Sequence, residues 1–380
     1  MADMDMRKPL SRRKEWLFRA ISFLFGLSIV LGGLEIVLRF LPVSGVYTAL
    51  PVNATNPLMR YPPYSTHQYS SGWNFAIAQQ KQANNDGFYS DYDYVQTTKP
   101  LMAVIGDSFI EAEQIPNKDT VQALLNAGLR GEGRVYGFGI QGSPLSQYLI
   151  FADHARREYQ PKAMTFTIIA NDFDQSLMEY GKDILSGMYL FSDTSEQARL
   201  ELLDYPGSYR SGLRGFLKNA ALVRYLYANV GLNPKQIKAW FDHPDTPPVH
   251  FGGIGAATDA KRLTNSKRAV ELFFQHLPKK TGLPTEKILF VVDGIREVNN
   301  ETDWKAAQQS YFGQMREYFM QAARQRGYEV VDMHPTFYQA QQAGKKVDFV
   351  PQDWHWNSVG HRLVADAVKQ TRVYQQTFSQ

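Results

Sequence analysis

The sequence predicts a three-layer α/β domain with a central, mostly parallel five-stranded sheet, preceded by one membrane-spanning helix. Three observations predict it. Five short, almost unbroken apolar runs lie between residues 100 and 335, amphipathic segments separate them, and an uncharged stretch fills residues 20–34. Apolar runs without alternation suit strands buried on both faces of a parallel sheet. Strand, helix and strand in repetition imply right-handed crossovers that cover both faces.

The runs are "PLMAVIGDS" (100–108), "RVYGFGI" (134–140), "AMTFTIIA" (163–170), "KILFVVDG" (287–294) and "YEVVDMHP" (328–335). Between them, "DTVQALLNAGLRG" opens on a capping acid and closes on Gly131, and "PLSQYLIFADHARREY" has proline at an early helical position. "NSKRAVELFFQHLPKKTG" precedes the fourth run, and "TDWKAAQQSYFGQMREYFMQAARQRG" is expected as one helix before the fifth. The interval 172–266 breaks this rhythm and reads as an insertion or lid-like cap. It holds one amphipathic stretch, "SGLRGFLKNAALVRYLYANV", and a Pro/Gly-rich loop. Residues 42–99, rich in Pro, Asn, Tyr and Ser without a sustained period, read as a stem and irregular wrap. The α/β domain itself is expected over residues 100–375.

Composition narrows the function classes. With 44% apolar and 21% charged residues the chain is globular in character, and the absence of cysteine excludes disulfides, thiolate metal sites and cysteine nucleophiles. Of the net charge of +4, residues 1–19 hold +3, so the rest of the chain is nearly neutral. A nucleic-acid partner calls for basic charge across the folded part, and it is not there.

That N-terminal charge instead abuts "RAISFLFGLSIVLGGLEIVLRFLP". Ala20 to Leu38 is 19 residues interrupted only by Glu35, close to the length of a bilayer core. No small-x-small cleavage pattern follows, which favours an uncleaved anchor over residues 20–41 rather than a signal peptide. The cationic side predicts a cytoplasmic tail over residues 1–19, with the rest on the outer face. In a bacterial cell this is a single-pass inner-membrane protein with a periplasmic domain.

Ligands in open parallel sheets sit beyond the carboxyl ends of the strands. After the first run comes Gly106-Asp107-Ser108, after the second Gly142 in "GIQGSP", and after the third Asn171 in "ANDF". Near the C-terminus, Asp353 and His355 in "DWHWN" stand ahead of a helix capped by Asn357. Taken singly, each has an ordinary structural reading as a turn, a cap or a packed histidine. Together they supply a hydroxyl nucleophile (Ser108), oxyanion donors (the Ser108 and Gly142 amides and the Asn171 side chain), a base (His355) and its orienting acid (Asp353). His334 with Asp332 mimics a second dyad but reads better as a strand-end structural pair. Asp242, His243 and His250 lack metal-ligand spacing.

These four blocks, "GDSF", "GIQG", "AND" and "DWHWN", resemble those of the SGNH, or GDSL, hydrolase superfamily, in its order and over about residues 100–375. The resemblance implies a flavodoxin-like three-layer fold, Ser108 as nucleophile, His355 as general base and then acid, and Asp353 as its orienter. It implies Gly142 and Asn171 as the oxyanion hole, and no cofactor or metal. Three departures stand out. Phe109 replaces the usual leucine, Ala170 precedes Asn171 where glycine is common, and acid and base are one residue apart. That spacing is similar to that of membrane-anchored bacterial members, and family members with a single-pass anchored layout are similar to proteins that add or remove acetyl groups on exopolysaccharides. The expected partners are an acylated carbohydrate or lipid substrate and, through the anchor, the envelope polysaccharide machinery. The expected activity is a serine esterase or O-acyltransferase; the alternative is a non-catalytic glycan-binding or assembly component that keeps the fold.

Overall fold

The five apolar runs form five strands, and all of them are parallel. The computed structural model describes residues 11–207, 212–232, 237, 250–296, 298, 300–350 and 352–378. In chain order the elements that position the site are helix α1 (Arg12–Leu38), the hairpin β1 (Thr66–Ser71) and β2 (Ile77–Gln82), strand β3 (Leu101–Gly106) and the single turn α2 (Ser108–Glu111). Then come α3 (Val121–Gly128), β4 (Arg134–Gly139), α4 (Leu145–Tyr159), β5 (Ala163–Ile168), α5 (Ala260–Thr281) and β6 (Ile288–Val292). The chain closes with α6 (Glu301–Gln309), α7 (Tyr311–Gln325), β7 (Glu329–Asp332), the short β8 (Asp353–Trp356) and α8 (Ser358–Lys369). The sheet order is β7-β6-β5-β3-β4.

Successive strand residues point to opposite faces, and that alternation divides the apolar runs into two cores. Ala103, Ile105, Phe138, Phe166 and Phe290 pack with Tyr148 of α4, Phe273 of α5 and Phe319 of α7. Met102, Val104, Val135, Leu289 and Val291 pack with Leu125 of α3 and Val364 of α8. Two covered faces explain why β3, β4 and β5 read as unbroken apolar runs. The edge strand β7 is only half-buried along its length.

Registers bring the carboxyl ends level. Gly106 pairs with Gly139, Ile168 with Val292, and Val292 with Asp332. The loops that follow these strands therefore crowd one edge of the sheet, where the site lies.

Local differences from the sequence expectations have simple causes. The segment 302–327 is two helices rather than one, because Ser310 is extended and its Oγ accepts the Gly313 amide as a new N-cap. Pro144 stands at the N-cap of α4 instead of inside it, and α5 begins earlier than expected, on an Asp259 cap. Within 42–99, Ala49, Val52, Met59, Tyr61, Phe88, Tyr89 and Tyr94 are buried in the same core as α4 and β5. Helix α1, long and apolar enough to cross a membrane, stands almost wholly clear of the domain.

Phe290 sits at the centre of an aromatic cluster, with ring centroids 5.6 Å from Phe166 and 5.2 Å from Phe319 and Tyr328. Phe290→Ala is expected to cost about 3–5 kcal/mol, read as a lowered denaturant midpoint of the detergent-solubilised chain by near-ultraviolet circular dichroism.

Candidate active site

Ser108 owes its position to two missing side chains. A Cβ on Gly106 would lie 2.5 Å from Ile110 Cγ1, and one on Gly139 would lie 2.7 Å from the Asp107 carbonyl oxygen. Glycine at both strand ends lets α2 fold back onto the sheet. Asp107, almost fully buried, caps that turn by accepting the Phe109 amide at 3.0 Å. Ser108 is thereby the first residue of α2 and lines a cavity of about 420 Å³ with Gln141, Gly142 and His355. Burial pushes the Asp107 carboxyl up to about 6.

A hydrogen-bond relay runs from this hydroxyl. Ser108 Oγ is 2.7 Å from His355 Nε2, and His355 Nδ1 is 2.5 Å from Asp353 Oδ1. The His355 backbone amide donates to the same carboxylate oxygen at 2.8 Å, so the two residues close a local ring. Burial works to raise Asp353, but the imidazole's hydrogen bond and charge outweigh it and hold the carboxyl at about 2. Burial works to lower His355, and Asp353 outweighs that too, leaving the imidazole above its ordinary value. Phe109, at the position of the usual leucine, sets its ring 4.7 Å from that of His355 and 4.9 Å from that of Trp356.

The second oxygen of Asp353 is held by residues the motif reading missed. Tyr69, on β1, donates its hydroxyl to Asp353 Oδ2 at 2.6 Å, and Gln114 Nε2 lies 3.4 Å from the same atom and 3.0 Å from His355 Nδ1. Burial and the adjacent carboxylate keep the Tyr69 phenol protonated, as a donor must be. β8 is fixed from beneath. Trp356 Nε1 donates to Asp293 Oδ1 at 2.9 Å, and Arg296 joins Asp293 at 3.0 Å to the Trp354 carbonyl at 2.7 Å. The one sequence signal for this support was the polar "DGIR" that ends the fourth apolar run.

Across the cavity, Gly142 stands in the left-handed region (φ +73°), where a side chain would be strained. The preceding Gln141 amide donates to Glu111 Oε2 at 2.7 Å, which ties this turn to α2. Asn171 follows β5 with its amide nitrogen 3.4 Å from Gln175 Oε1. Its loop is pinned by buried Asp172, which accepts the Ile169 amide at 2.8 Å and the Tyr148 hydroxyl at 2.9 Å.

Beneath α2 lies a buried charged cluster. Lys81, on β2, donates to the carbonyls of Ala112 at 2.8 Å and Ile115 at 2.9 Å, beside Glu111 and Glu113. Burial pulls its ammonium down to about 8 despite these acids, while burial raises Glu113 to about 7 against the pull of Lys81. Glu111 is bonded by the Tyr61 hydroxyl. The wrap thus supports the 111–115 segment that presents Gln114.

The other candidates take structural places. His334 stacks on Trp304 at 4.2 Å and its Nδ1 is 3.0 Å from the Ile295 carbonyl oxygen, while Asp332 pairs with Arg316. The His250 ring lies 6.2 Å from that of Trp354, and Asp242 and His243 fall outside the described residues. Among the described residues no group of three or more acidic or histidine ligands is gathered for a metal.

Two consequences are measurable. The His355 imidazole is expected to titrate above free histidine by carbon-13 NMR of the histidine-labelled chain. In Asp353→Asn, burial is no longer offset, so the titration should move below the free value. Lys81→Met strands two buried carbonyls and two acids, and is expected to destabilise by about 3–5 kcal/mol, read by chemical unfolding.

A family profile of GDSL-like lipases and acylhydrolases matches residues 102–368, well over half of the chain. No curated protein sequence matches. Among solved structures, the chain is similar to a lipolytic G-D-S-L family protein from Veillonella parvula at 10% identity, over 72% of this chain and 97% of that one, with a TM-score of 0.35. It is similar to a carbohydrate acetylesterase family member from Sinorhizobium meliloti at 11%, over 74% and 100%, with a TM-score of 0.37. An acetyl xylan esterase is similar at 13%, over 70% and 97%, with a TM-score of 0.37. With the profile spanning all four sequence blocks, the chain belongs to the GDSL-like lipase/acylhydrolase family and is an ester hydrolase of the SGNH type.

Proposed function

We propose that the protein is a membrane-anchored serine esterase or O-acyltransferase acting on acetyl esters of cell-envelope or exported polysaccharide. The observation that carries this reading is the unbroken relay from Asp353 through His355 to Ser108, opening into a cavity that Gly142 also lines. Such a relay supports catalysis over a purely binding role, since a binding module gains nothing from a base 2.7 Å from a serine hydroxyl that lines a cavity.

In the first step Ser108 Oγ attacks the ester carbonyl carbon while its proton passes to His355 Nε2. The tetrahedral oxyanion faces the amides of Ser108 and Gly142 and the side chain of Asn171, whose NH₂ keeps one hydrogen free of Gln175. The carbon–oxygen bond to the sugar then breaks, and the leaving alcohol takes the proton from His355. Water or an acceptor hydroxyl gives its proton to His355 and attacks the Ser108 ester; the bond from the acyl carbon to Ser108 Oγ breaks, His355 returns the proton to that oxygen, and acetate or the transferred acetyl ester is released. Asp353 stays ionised throughout, orienting Nδ1 and stabilising the imidazolium.

The cavity supports a small acyl group bound to a polar body. Tyr47 and Tyr205 offer aromatic walls, Gln141 and Ser186 polar ones, and Met59, Leu185 and Met188 a short apolar floor. The apolar helix α1 supports a site held at a membrane surface, where envelope glycans lie within reach.

Acetyl release from O-acetylated envelope polysaccharide is the test. The wild-type chain should release acetate, or transfer acetyl to an added oligosaccharide, and Ser108→Ala should lose at least about a thousandfold. Equal acetyl release by Ser108→Ala contradicts the reading. Because neutral His355 is required, kcat/KM should fall as pH drops through its raised pKa, with the inflection above that of free histidine. Tyr69→Phe removes one donor from a carboxylate, and is expected to lower kcat roughly tenfold with KM little changed.

A further inference from the structure

The interval 172–266 carries an apolar face that stands exposed among the described residues. The helical turns from Ala221 to Asn229 follow the helix Gly212–Asn219 and pack by one side against the end of α1. Ala221 is fully buried there with Leu38 and Val43, and Tyr225 sets its ring 5.6 Å from Phe75. The opposite side shows Val223 on the α-helical turn and Leu226, Tyr227 and Val230 on and just after the π-helical turn Tyr225–Asn229, exposed by 40, 38, 59 and 38%. Trp73, at the tip of the β1–β2 hairpin, is 71% exposed, and its carbonyl accepts the Tyr225 hydroxyl at 2.7 Å.

What covers this face follows from where it is fastened. Glu35 Oε1 accepts the Ala221 amide at 3.0 Å and Oε2 accepts the Leu222 amide at 2.8 Å, while Arg39 pairs with the same carboxylate at 2.9 Å. Glu35 ends the uncharged run that starts at Ala20. At 1.5 Å per residue, Ala20 to Leu38 spans about 28 Å, close to the roughly 30 Å core of a bilayer. Arg39, just past Leu38, therefore marks the level at which α1 leaves the hydrocarbon, and Glu35 holds the stripe within about one helical turn of it. Exposed Phe40, next in the chain, extends the apolar surface. Aromatic residues, aliphatic residues and Arg at one depth are the composition of a segment lying in the headgroup zone.

We propose that the stripe Val223, Leu226, Tyr227 and Val230, with Trp73, is seated in the outer leaflet of the membrane that α1 crosses. This rests on the reading of α1 as an anchor. The partner is a phospholipid surface, and the domain is docked on it instead of swinging from a free stem. Docking also fixes the height of the site. Asn229 Nδ2 donates to Ser70 Oγ at 2.7 Å on β1, and the neighbouring Tyr69 is the donor to Asp353. The same strand therefore touches the docking segment through Ser70 and the relay through its neighbour Tyr69.

The chain has no cysteine, so single nitroxide labels can be placed on the full protein without further change. Leu226→Cys and Tyr227→Cys are labelled in nanodiscs of phosphatidylethanolamine and phosphatidylglycerol, with Leu31→Cys inside α1 and Glu132→Cys at the far side of the domain as references. Unchanged fluorophosphonate labelling of Ser108 establishes that each variant is folded. The expected result is loss of accessibility to a water-soluble nickel chelate at positions 226 and 227, with oxygen accessibility retained, between the values at 31 and 132. If 226 and 227 match 132 while 31 is deep, the anchor holds and the docking is refuted. If position 31 itself reports water, the anchor reading falls and takes the docking with it. Spin–spin broadening at 226 with both reagents excluded would instead place a second copy on the face, and would overturn the proposal.

Discussion

The arrangement depends on one carboxylate being satisfied on both oxygens. Asp353 Oδ1 is shared by the ring and backbone nitrogens of His355, and Oδ2 by Tyr69 and Gln114. A partly buried anion is costly unless such donors surround it. Three distant parts of the chain must come together to supply them: the β1–β2 hairpin, the segment after α2, and β8. That requirement makes the irregular N-terminal wrap part of the site.

The remaining structure works outward from this point. Lys81 holds the 112–115 segment in place, Glu111 ties α2 to the Gln141–Gly142 turn, and Asp293 with Arg296 supports β8 through Trp354 and Trp356. Each support is a buried polar group with its partners in reach, and breaking one partner strands the other. The parallel sheet supplies the platform, because level strand ends bring residues from β3, β4 and β5 to one edge.

Sheet and relay were legible in the sequence for a local reason. Strands buried on both faces leave apolar runs, and Ser108, Gly142, Asn171 and the Asp353/His355 pair each follow or flank a regular element. Ser108 and His355 meet as expected from 247 residues apart. Tyr69, Gln114 and Lys81 were not legible, because each is an ordinary residue whose role comes from a long-range contact; Tyr69 lies 284 residues from Asp353. The break at Ser310 was hidden because the apolar spacing continues through it, and only the serine's bond to Gly313 reveals a second start. The apolar stripe after Ala220 read as an ordinary amphipathic stretch. Its inner face is satisfied by the end of α1, which leaves its other apolar side outward.

The central claim is that Ser108 is the reactive hydroxyl and that the relay activates it. Intact-mass spectrometry of the full chain after treatment with a fluorophosphonate measures this most directly. The account predicts a single adduct mapped to Ser108, absent in Ser108→Ala and strongly slowed in His355→Ala. An unlabelled wild-type chain, or a Ser108→Ala chain that labels equally well, would contradict it.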